Sequence, residues 1–445
     1  MNRTTKSTLA GAAALLIALV DSRPAFAEVP LAQYEGWQLS TDGRVNTFLS
    51  YAVGTGVPDG QGGDAVGAGT VDFADSNNSL HSTRIRNGFM TSILGFTGQK
   101  EINPNFKVTT RVALWLNIAG SRNKNVTGQV DPRELYGKIE GRWGSFLAGS
   151  DLSLFGREGI LTDYRIAHEY GLGYPCAIVD TSGGACGMVG FGAPFPGFDP
   201  GFVYATPSLA GFQASVGLYD PASIPNAQLD RLPLPRIEAE LKYQFKDLVR
   251  VFGSGYWQVL EGTVADVTAP GGKRNRHVDA WGAQAGAMLA VGPIMLGGAA
   301  YEGAGFSSVT ALDGGTIAAD ASGVLRNSRG AFGLGAVLID ALHLKLAGGA
   351  GVWRLDKSKS DSGPTTGLGT AESPLVAANP QLIKQNLGVT VGVYQTTGPV
   401  HFALEYFRAD QSWFDQGVNN PDMTVRLVTP KQTVNFINAG TTITW

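Results

Sequence analysis

From Gln38 to Trp445 the chain returns again and again to runs of about ten residues in which apolar and polar side chains alternate. In Ile237-Glu238-Ala239-Glu240-Leu241-Lys242-Tyr243-Gln244-Phe245 every odd-numbered residue is apolar and every even-numbered one polar. Between Phe106 and Leu116 the apolar face runs through Phe106, Val108, Val112, Leu114 and Leu116, while Lys107, Thr109 and Arg111 share the other. The runs Leu387–Val393 and Leu342–Leu346 repeat the scheme with glycine, threonine or charge opposite the aliphatics. Alternation of period two marks a strand with a different environment on each face. A length of about nine to eleven residues is what a tilted strand needs to cross a bilayer.

The beginning of the chain points to export. Arg3 and Lys6 give a positive start, Leu9 to Val20 an apolar core and Ala25-Phe26-Ala27 a small-x-small cleavage site, which together form a secretory signal. Residues 1–27 are therefore expected to be removed, leaving a mature domain at 28–445. The apolar core falls short of the roughly twenty residues a spanning helix requires, and no later segment supplies them. Losing Arg3, Lys6, Arg23 and Asp21 with the leader changes 34 basic and 37 acidic residues to 31 and 36, a net charge of −5. That balance argues against a nucleic-acid partner and leans toward a mild cation preference.

Connections alternate between two kinds. Asn103-Pro104-Asn105, Arg142-Trp143-Gly144, Ala210-Gly211, Lys246-Asp247, Gly292-Pro293, Asp340-Ala341 and Gly398-Pro399 read as tight turns. Long polar stretches near 54–81, 121–131, 154–200, 221–235, 261–277, 307–328, 357–382 and 415–431 separate them. Seven turns and eight loops enclose sixteen strands with both termini on the turn side. The expected fold is all-β, a transmembrane antiparallel β-barrel of about 16 strands, with short periplasmic turns and long extracellular loops. In this scheme Phe407-Arg408 breaks the alternation and Leu94-Gly95-Phe96 is apolar on both faces, each pointing to a bulge or an exit from the membrane.

Aromatics add a separate line. Trp37, Phe106, Trp143, Phe212, Phe245, Phe402 and Trp445 fall near turn-side strand ends, and Tyr51, Trp257, Tyr301, Trp353, Tyr394 and Trp413 near loop-side ends. Two girdles of amphipathic rings are expected where a barrel meets the headgroups. The last strand, Ile437 to Trp445, stops at an aromatic with no tail, the form of a terminal signal for barrel assembly.

Two segments resemble the general, trimeric porins of Gram-negative outer membranes. Glu134-Leu135-Tyr136-Gly137-Lys138-Ile139-Glu140-Gly141-Arg142-Trp143-Gly144-Ser145-Phe146-Leu147-Ala148-Gly149-Ser150 is similar to that family's Tyr/Gly hairpin, whose turn leads into the strand before the third loop. Phe202-Val203-Tyr204-Ala205-Thr206-Pro207-Ser208-Leu209-Ala210-Gly211-Phe212 resembles the stretch just after that loop. The chain departs from the family in ending on Trp rather than Phe, and in Gly149-Ser150 where the family carries Gly-Arg. The resemblance implies passive diffusion of small hydrophilic solutes and ions through a water-filled pore narrowed by an inward third loop. It also implies a homotrimer with the second loop, near Ser121 to Val130, reaching across to a neighbour. Expected partners are outer-membrane lipid and lipopolysaccharide, and the barrel-assembly machinery during biogenesis.

The third loop, about Leu154 to Pro200, carries both cysteines. An exported chain whose only two cysteines, Cys176 and Cys186, enclose nine residues predicts a disulfide at the loop tip, contributing ~2–3 kcal/mol against loop disorder. Parity places Arg44, Arg84, Arg86, Arg111 and Lys138 on the lumen side, and the loop offers Asp163, Glu169 and Asp180. A transverse field between Arg44, Arg86 and Arg111 and these carboxylates is the expected constriction, although Arg157, Arg165 and His168 give the loop mixed sign. Catalytic motifs are weak: His168-Glu169 lacks a second histidine at zinc-protease spacing, and no nucleophile elbow or phosphate loop is found. No enzyme activity and no cofactor are expected. Asp72, Asp75 and Asn77 are spaced as calcium ligands are, but equally as in an ordinary solvated loop. A substrate-selective channel for sugars, phosphate or organic acids, and a non-conducting barrel serving as adhesin or structural protein, are the alternatives.

Overall fold

The computed structural model describes residues 28–58, 75, 77–118, 130–175, 185–224, 228–265, 270–306, 318–320, 323–358, 361, 382–419 and 425–445. The expected leader, residues 1–27, lies outside them. In chain order the strands are β1 (Val29–Tyr34), β2 (Trp37–Thr55), β3 (Ser79–Arg86), β4 (Ser92–Asn103), β5 (Phe106–Leu116), β6 (Val130–Gly141), β7 (Gly144–Leu152), β8 (Phe198–Ala205), β9 (Phe212–Tyr219) and β10 (Arg236–Phe245). They continue as β11 (Val249–Ala265), β12 (Lys273–Val291), β13 (Ile294–Ala304), β14 (Asn327–Ile339), β15 (Leu344–Leu355), β16 (Ile383–Thr397), β17 (Val400–Trp413), β18 (Gln416–Asn419), β19 (Val425–Val428) and β20 (Lys431–Thr444).

Each strand from β4 to β17 pairs antiparallel with the next, and β17 pairs with β20. The barrel closes where β20 pairs with β2, from Arg44 opposite Thr444 to Gly54 opposite Val434. Three details turn these elements into sixteen wall strands. First, β2 pairs with β4 along its turn-side half and with β3 along its loop-side half, so β3 and β4 form one wall strand broken at residues 87–91. Polar side chains brace that break: Asn46 Oδ1 accepts from Gly88 N and Asn46 Nδ2 donates to the Met90 carbonyl, while Asn87 Nδ2 donates to Ser92 Oγ. Second, β1 pairs with Trp37–Thr41 of β2, continuing the line of β20, so the two chain ends share one wall position. Third, β18 and β19 form a separate hairpin in the last loop.

All seven expected turns lie where the sequence placed them. Gly292 takes left-handed backbone at φ 55°, where only glycine avoids a steric cost, and Lys246 and His343 take the same region as side-chain-bearing residues at φ 51° and 49°. His343 lies in the turn, and β15 begins at Leu344.

Parity sorts the two faces. Leu49, Val112, Leu241, Val251, Leu296, Val391 and Leu404 are exposed on the outer surface, the apolar band a bilayer requires. Phe407 and Arg408 break no register: β17 pairs with β20 without interruption. Phe407 points inward onto Tyr174 and Phe191, with centroids 5.5 and 5.2 Å away, while Arg408 points outward and bonds Asp410. Leu94-Gly95-Phe96 is likewise ordinary strand in unshifted register with β5.

The loop-side girdle needs correction. Tyr51 and Trp257 are exposed, but Tyr301, Trp353, Tyr394 and Trp413 are buried inside the barrel, and Tyr394 lies near the turn-side end of β16 rather than the loop side. Tyr301, Trp353 and Trp413 pack with Ile224, Leu229, Phe306, Ala319 and Leu382, residues of connections that fold back over the outer half of the lumen. An inward-facing aromatic near a strand end looks, in sequence, like one facing the headgroups.

Candidate pore constriction

A loop that folds into a barrel loses water, so its buried backbone groups need protein partners. The third loop, between β7 and β8, contains a short helix α1 (Arg157–Asp163) continuing into a π-helical turn (Tyr164–His168). Polar lumen-face side chains hold it. Glu238 on β10 accepts from Phe155 N at 2.8 Å. Glu405 on β17 accepts from Leu172 N at 2.7 Å and Gly173 N at 3.1 Å, and from Tyr394 Oη at 2.6 Å. Asn438 on β20 and Asn386 on β16 donate to the Gly173 and Gly190 carbonyls. Around these bonds Ile166, Leu172, Tyr174, Met188 and Phe191 pack against Phe48, Leu334, Phe407 and Phe436 of the wall. The loop is thus fixed to one side of the barrel, and free space remains beside β4–β6. There a recess of about 300 Å³ is lined by Thr97, Lys107, Thr109, Tyr136, Lys138 and Glu140 among others.

The expected site residues separate into groups. Arg44, Arg86 and Arg111 all point inward, but each does different work. Arg44 is 1 % exposed. Its Nη1 donates to the Glu169 carbonyl at 3.1 Å and its Nη2 to Tyr164 Oη at 2.7 Å, so it anchors the loop. Arg86 is also buried. Arg111 is matched within its own wall: Nη1 and Nη2 bond the Asp42 carboxylate at 2.7 and 3.0 Å, and Nε pairs with Glu134.

Asp163 does not face the lumen. It is 0 % exposed; its Oδ1 lies 2.6 Å from His168 Nδ1, and its Oδ2 accepts from Met188 N at 2.8 Å. It joins the helical limb of the loop to its return limb, because a carboxylate turned inward from α1 meets the loop's own backbone before it meets water. Glu169 is partly exposed and faces Lys345 on β15 at 3.6 Å. Asp180 and Cys176 lie outside the described residues; Cys186 is disulfide-bonded. Lys138 bonds Glu140 at 3.1 Å. Trp445 exchanges two backbone hydrogen bonds of 3.1 Å with Gly43, locking the chain end into the barrel. Asp72 is also outside the described residues. Asp75 Oδ1 accepts from Asn77 N and Ser79 N, an ordinary turn cap. Among the described residues no cluster of His, Cys, Asp or Glu is placed to hold a metal.

Apart from Glu169, what lines the water is a different set. Arg157, Leu161, Arg165 and Glu169 are partly exposed at a spacing of four, while Glu158, Ile160, Tyr164 and Ile166 between them are buried. One face of a helical segment repeats at that interval. Arg157 pairs with Glu240 at 2.6 Å. Glu158 is shared between Arg250 at 2.9 Å and Lys242 at 3.5 Å. Burial would push its carboxyl up, but Arg250, Lys242 and Arg157 together hold it below its ordinary value. Arg165 has no carboxylate within ion-pair distance among the described residues. Burial, and next the charge of Arg250, lower its pKa. The later strands that supply Lys242, Arg250 and Lys345 carried the right parity in sequence. Nothing there indicated that the loop would lie against them.

A closed sixteen-stranded barrel with an apolar outer band, a charged interior and a loop fixed inside it defines a transmembrane channel of the outer-membrane type. A family model of Gram-negative porins matches residues 11–428. Among solved structures, the outer membrane channel DcaP of Acinetobacter baumannii superposes with a TM-score of 0.60 at 14% identity, covering 94% of this chain and 100% of that one. An anion-selective porin from Comamonas acidovorans gives 0.55 at 12% identity, over 92% and 100%. OmpF of Salmonella typhi, in complex with daunomycin, gives 0.51 at 12% identity, over 93% and 100%. No curated protein sequence matches. The chain belongs to the Gram-negative porin family, and it is a diffusion channel of the outer membrane.

Proposed function

We propose that solutes pass between the third loop and the β5–β7 wall, and that the transverse field there has the opposite polarity to the one the sequence suggested. Around the lumen face of the α1 segment, Arg157, Arg165, Lys242, Arg250 and Lys345 stand against Glu158, Glu169 and Glu240, while Glu238 and Glu405 on the same side are taken up by the loop backbone. The facing wall has Lys107, Arg111 and Lys138 against Asp42, Glu134, Glu140 and Asp151. The observation that carries this reading is Arg165, partly exposed on the loop's lumen face and unmatched by any carboxylate within ion-pair distance among the described residues. Ions and small polar solutes cross by exchanging hydration water for these charges, while long apolar molecules meet the cost of entering a charged slit.

The same proposal includes cleavage of residues 1–27, a Cys176–Cys186 bridge at the loop tip, a homotrimer, assembly by the barrel-insertion machinery and the absence of a catalytic role. The test is reversal potential in a planar bilayer under a salt gradient. In Arg165→Glu the sign reversal acts on an ion about 8 Å away by about 1 kcal/mol in water, roughly five-fold in permeability, and shifts selectivity toward cations. Asp151→Asn shifts it the other way. Unchanged reversal potentials in both conducting variants refute the field. Closure in three equal steps supports the trimer, and single steps throughout count against it.

A further inference from the structure

On the outer surface of β13–β15, Glu302, Arg329 and Arg354 occupy adjacent positions in one cross-strand row, Arg329 directly opposite both of the others. All three are exposed. Two arginines therefore stand directly opposite one another across a strand pair, an arrangement in which like charges repel. Their protein partners leave the charge largely in place. Arg329 approaches Asp356 at 3.6 Å with both side chains more than half exposed, and Arg354 Nε donates to the neutral Gln385 Oε1 at 2.8 Å. Glu302 forms no ion pair among the described residues and flanks the row on the β13 side.

Just below this row, toward the turns, the outer face is hollow. A recess of about 590 Å³ is floored by Ala283, Ala285, Ala300, Ala331 and Val352. The small outward residues Gly298 and Gly333 extend it down the wall before Leu296 restores the apolar band. The height of the row is fixed independently. One two-residue step closer to the loops, the cross-strand pair Trp257 and Trp281 is exposed on the same surface, the place of amphipathic rings at a membrane interface. The arginines thus stand at headgroup level and the hollow lies within the hydrocarbon.

We infer that this recess holds one acyl chain of an anionic outer-leaflet lipid whose acidic headgroup lies between Arg329 and Arg354. The chemistry fits at both ends. Guanidinium forks bind phosphate or carboxylate in bidentate fashion, and a chain lying in an alanine and glycine trough fills space the barrel's own side chains leave empty. The headgroup also relieves the repulsion between the two arginines.

Native mass spectrometry of the purified protein, with phosphatidylglycerol and phosphatidylcholine offered in equal amounts, tests the site. The expected result is a several-fold preference for phosphatidylglycerol, retained in Arg408→Gln, which removes another outward arginine, and lost in Arg329→Gln/Arg354→Gln. Ala300→Leu, which fills the trough, lowers retention while leaving both arginines in place. Single-channel conductance equal to the parent's confirms that each variant is folded. Equal retention of the two lipids by the parent protein overturns the inference without recourse to any variant. So does undiminished phosphatidylglycerol binding by the double variant, or a face closed to lipid by a neighbouring subunit.

Discussion

Replacing Glu405 by alanine tests whether the third loop is held by a few buried bonds or by packing alone. The carboxylate is buried and accepts three hydrogen bonds, from Leu172 N, Gly173 N and Tyr394 Oη. Bonds to a charged acceptor contribute about 1.5–3 kcal/mol each, so losing the two to the loop backbone costs about 3–6 kcal/mol of local stability. Two amide groups are then left in a site where water has little access. The amides of Leu172 and Gly173 are the direct reporters. At 3 kcal/mol their hydrogen-exchange protection falls by roughly a hundred-fold, while amides in β12 and β13 keep theirs. Glu405→Gln retains one acceptor and the shape of the side chain, and is expected to fall between the parent and alanine. In bilayers the alanine variant shows excess current noise, because the loop moves within the conducting path. Unaltered protection at Leu172 and Gly173 in Glu405→Ala refutes the reasoning and assigns the loop's position to the apolar contacts of Tyr174, Phe191 and Phe407.

Gly171→Ala should reproduce much of that effect from the other side: a Cβ at Gly171 would lie 2.0 Å from Glu405 Oε1, so the carboxylate must leave its hydrogen-bonded position, and the same exchange experiment should show lost protection. The Asp163–His168 pair predicts a pH dependence. Burial pushes the His168 pKa down, but the Asp163 carboxylate more than offsets it, aided by Glu405 and opposed by Lys345, so the folded value lies above the ordinary 6.5. A raised value means that the pair's contribution is complete below 6.5 and is lost as pH rises through the folded pKa. Exchange at Met188, whose N–H bonds Asp163, should therefore accelerate beyond its intrinsic rate as pH moves from mildly acidic to alkaline, and His168→Gln should lose that excess. A profile that parallels the intrinsic rate throughout counts against the pair.

The barrel itself was written in short-range pattern. Strand Ile237 to Phe245 sorts its faces by parity alone, and turns such as Gly292-Pro293 and Gly398-Pro399 announce themselves by residue type, so strand number and termini followed from local rules. The constriction was not legible in that way. Parity places Arg111 in the lumen but does not reveal that Asp42, 69 residues away, neutralises it. Composition offers Asp163 as a lumen acid, yet the turn of α1 buries it against His168. Phe407 looked like a fault in the alternation because an inward apolar residue makes sense only when a loop covers it.

What the sequence by itself determined is the two-faced strand and the turn, and hence a membrane barrel, since each depends on residues within one element and on the solvents at its two faces. Only the tertiary structure decided which lumen charges meet water. That choice depends on where the third loop lies against the wall, through bonds such as Arg44 to the Glu169 carbonyl and Glu405 to Leu172 N, which join residues 125 and 233 positions apart. A charge's partner at such separation is set by the closed geometry of the barrel, and no local period records it.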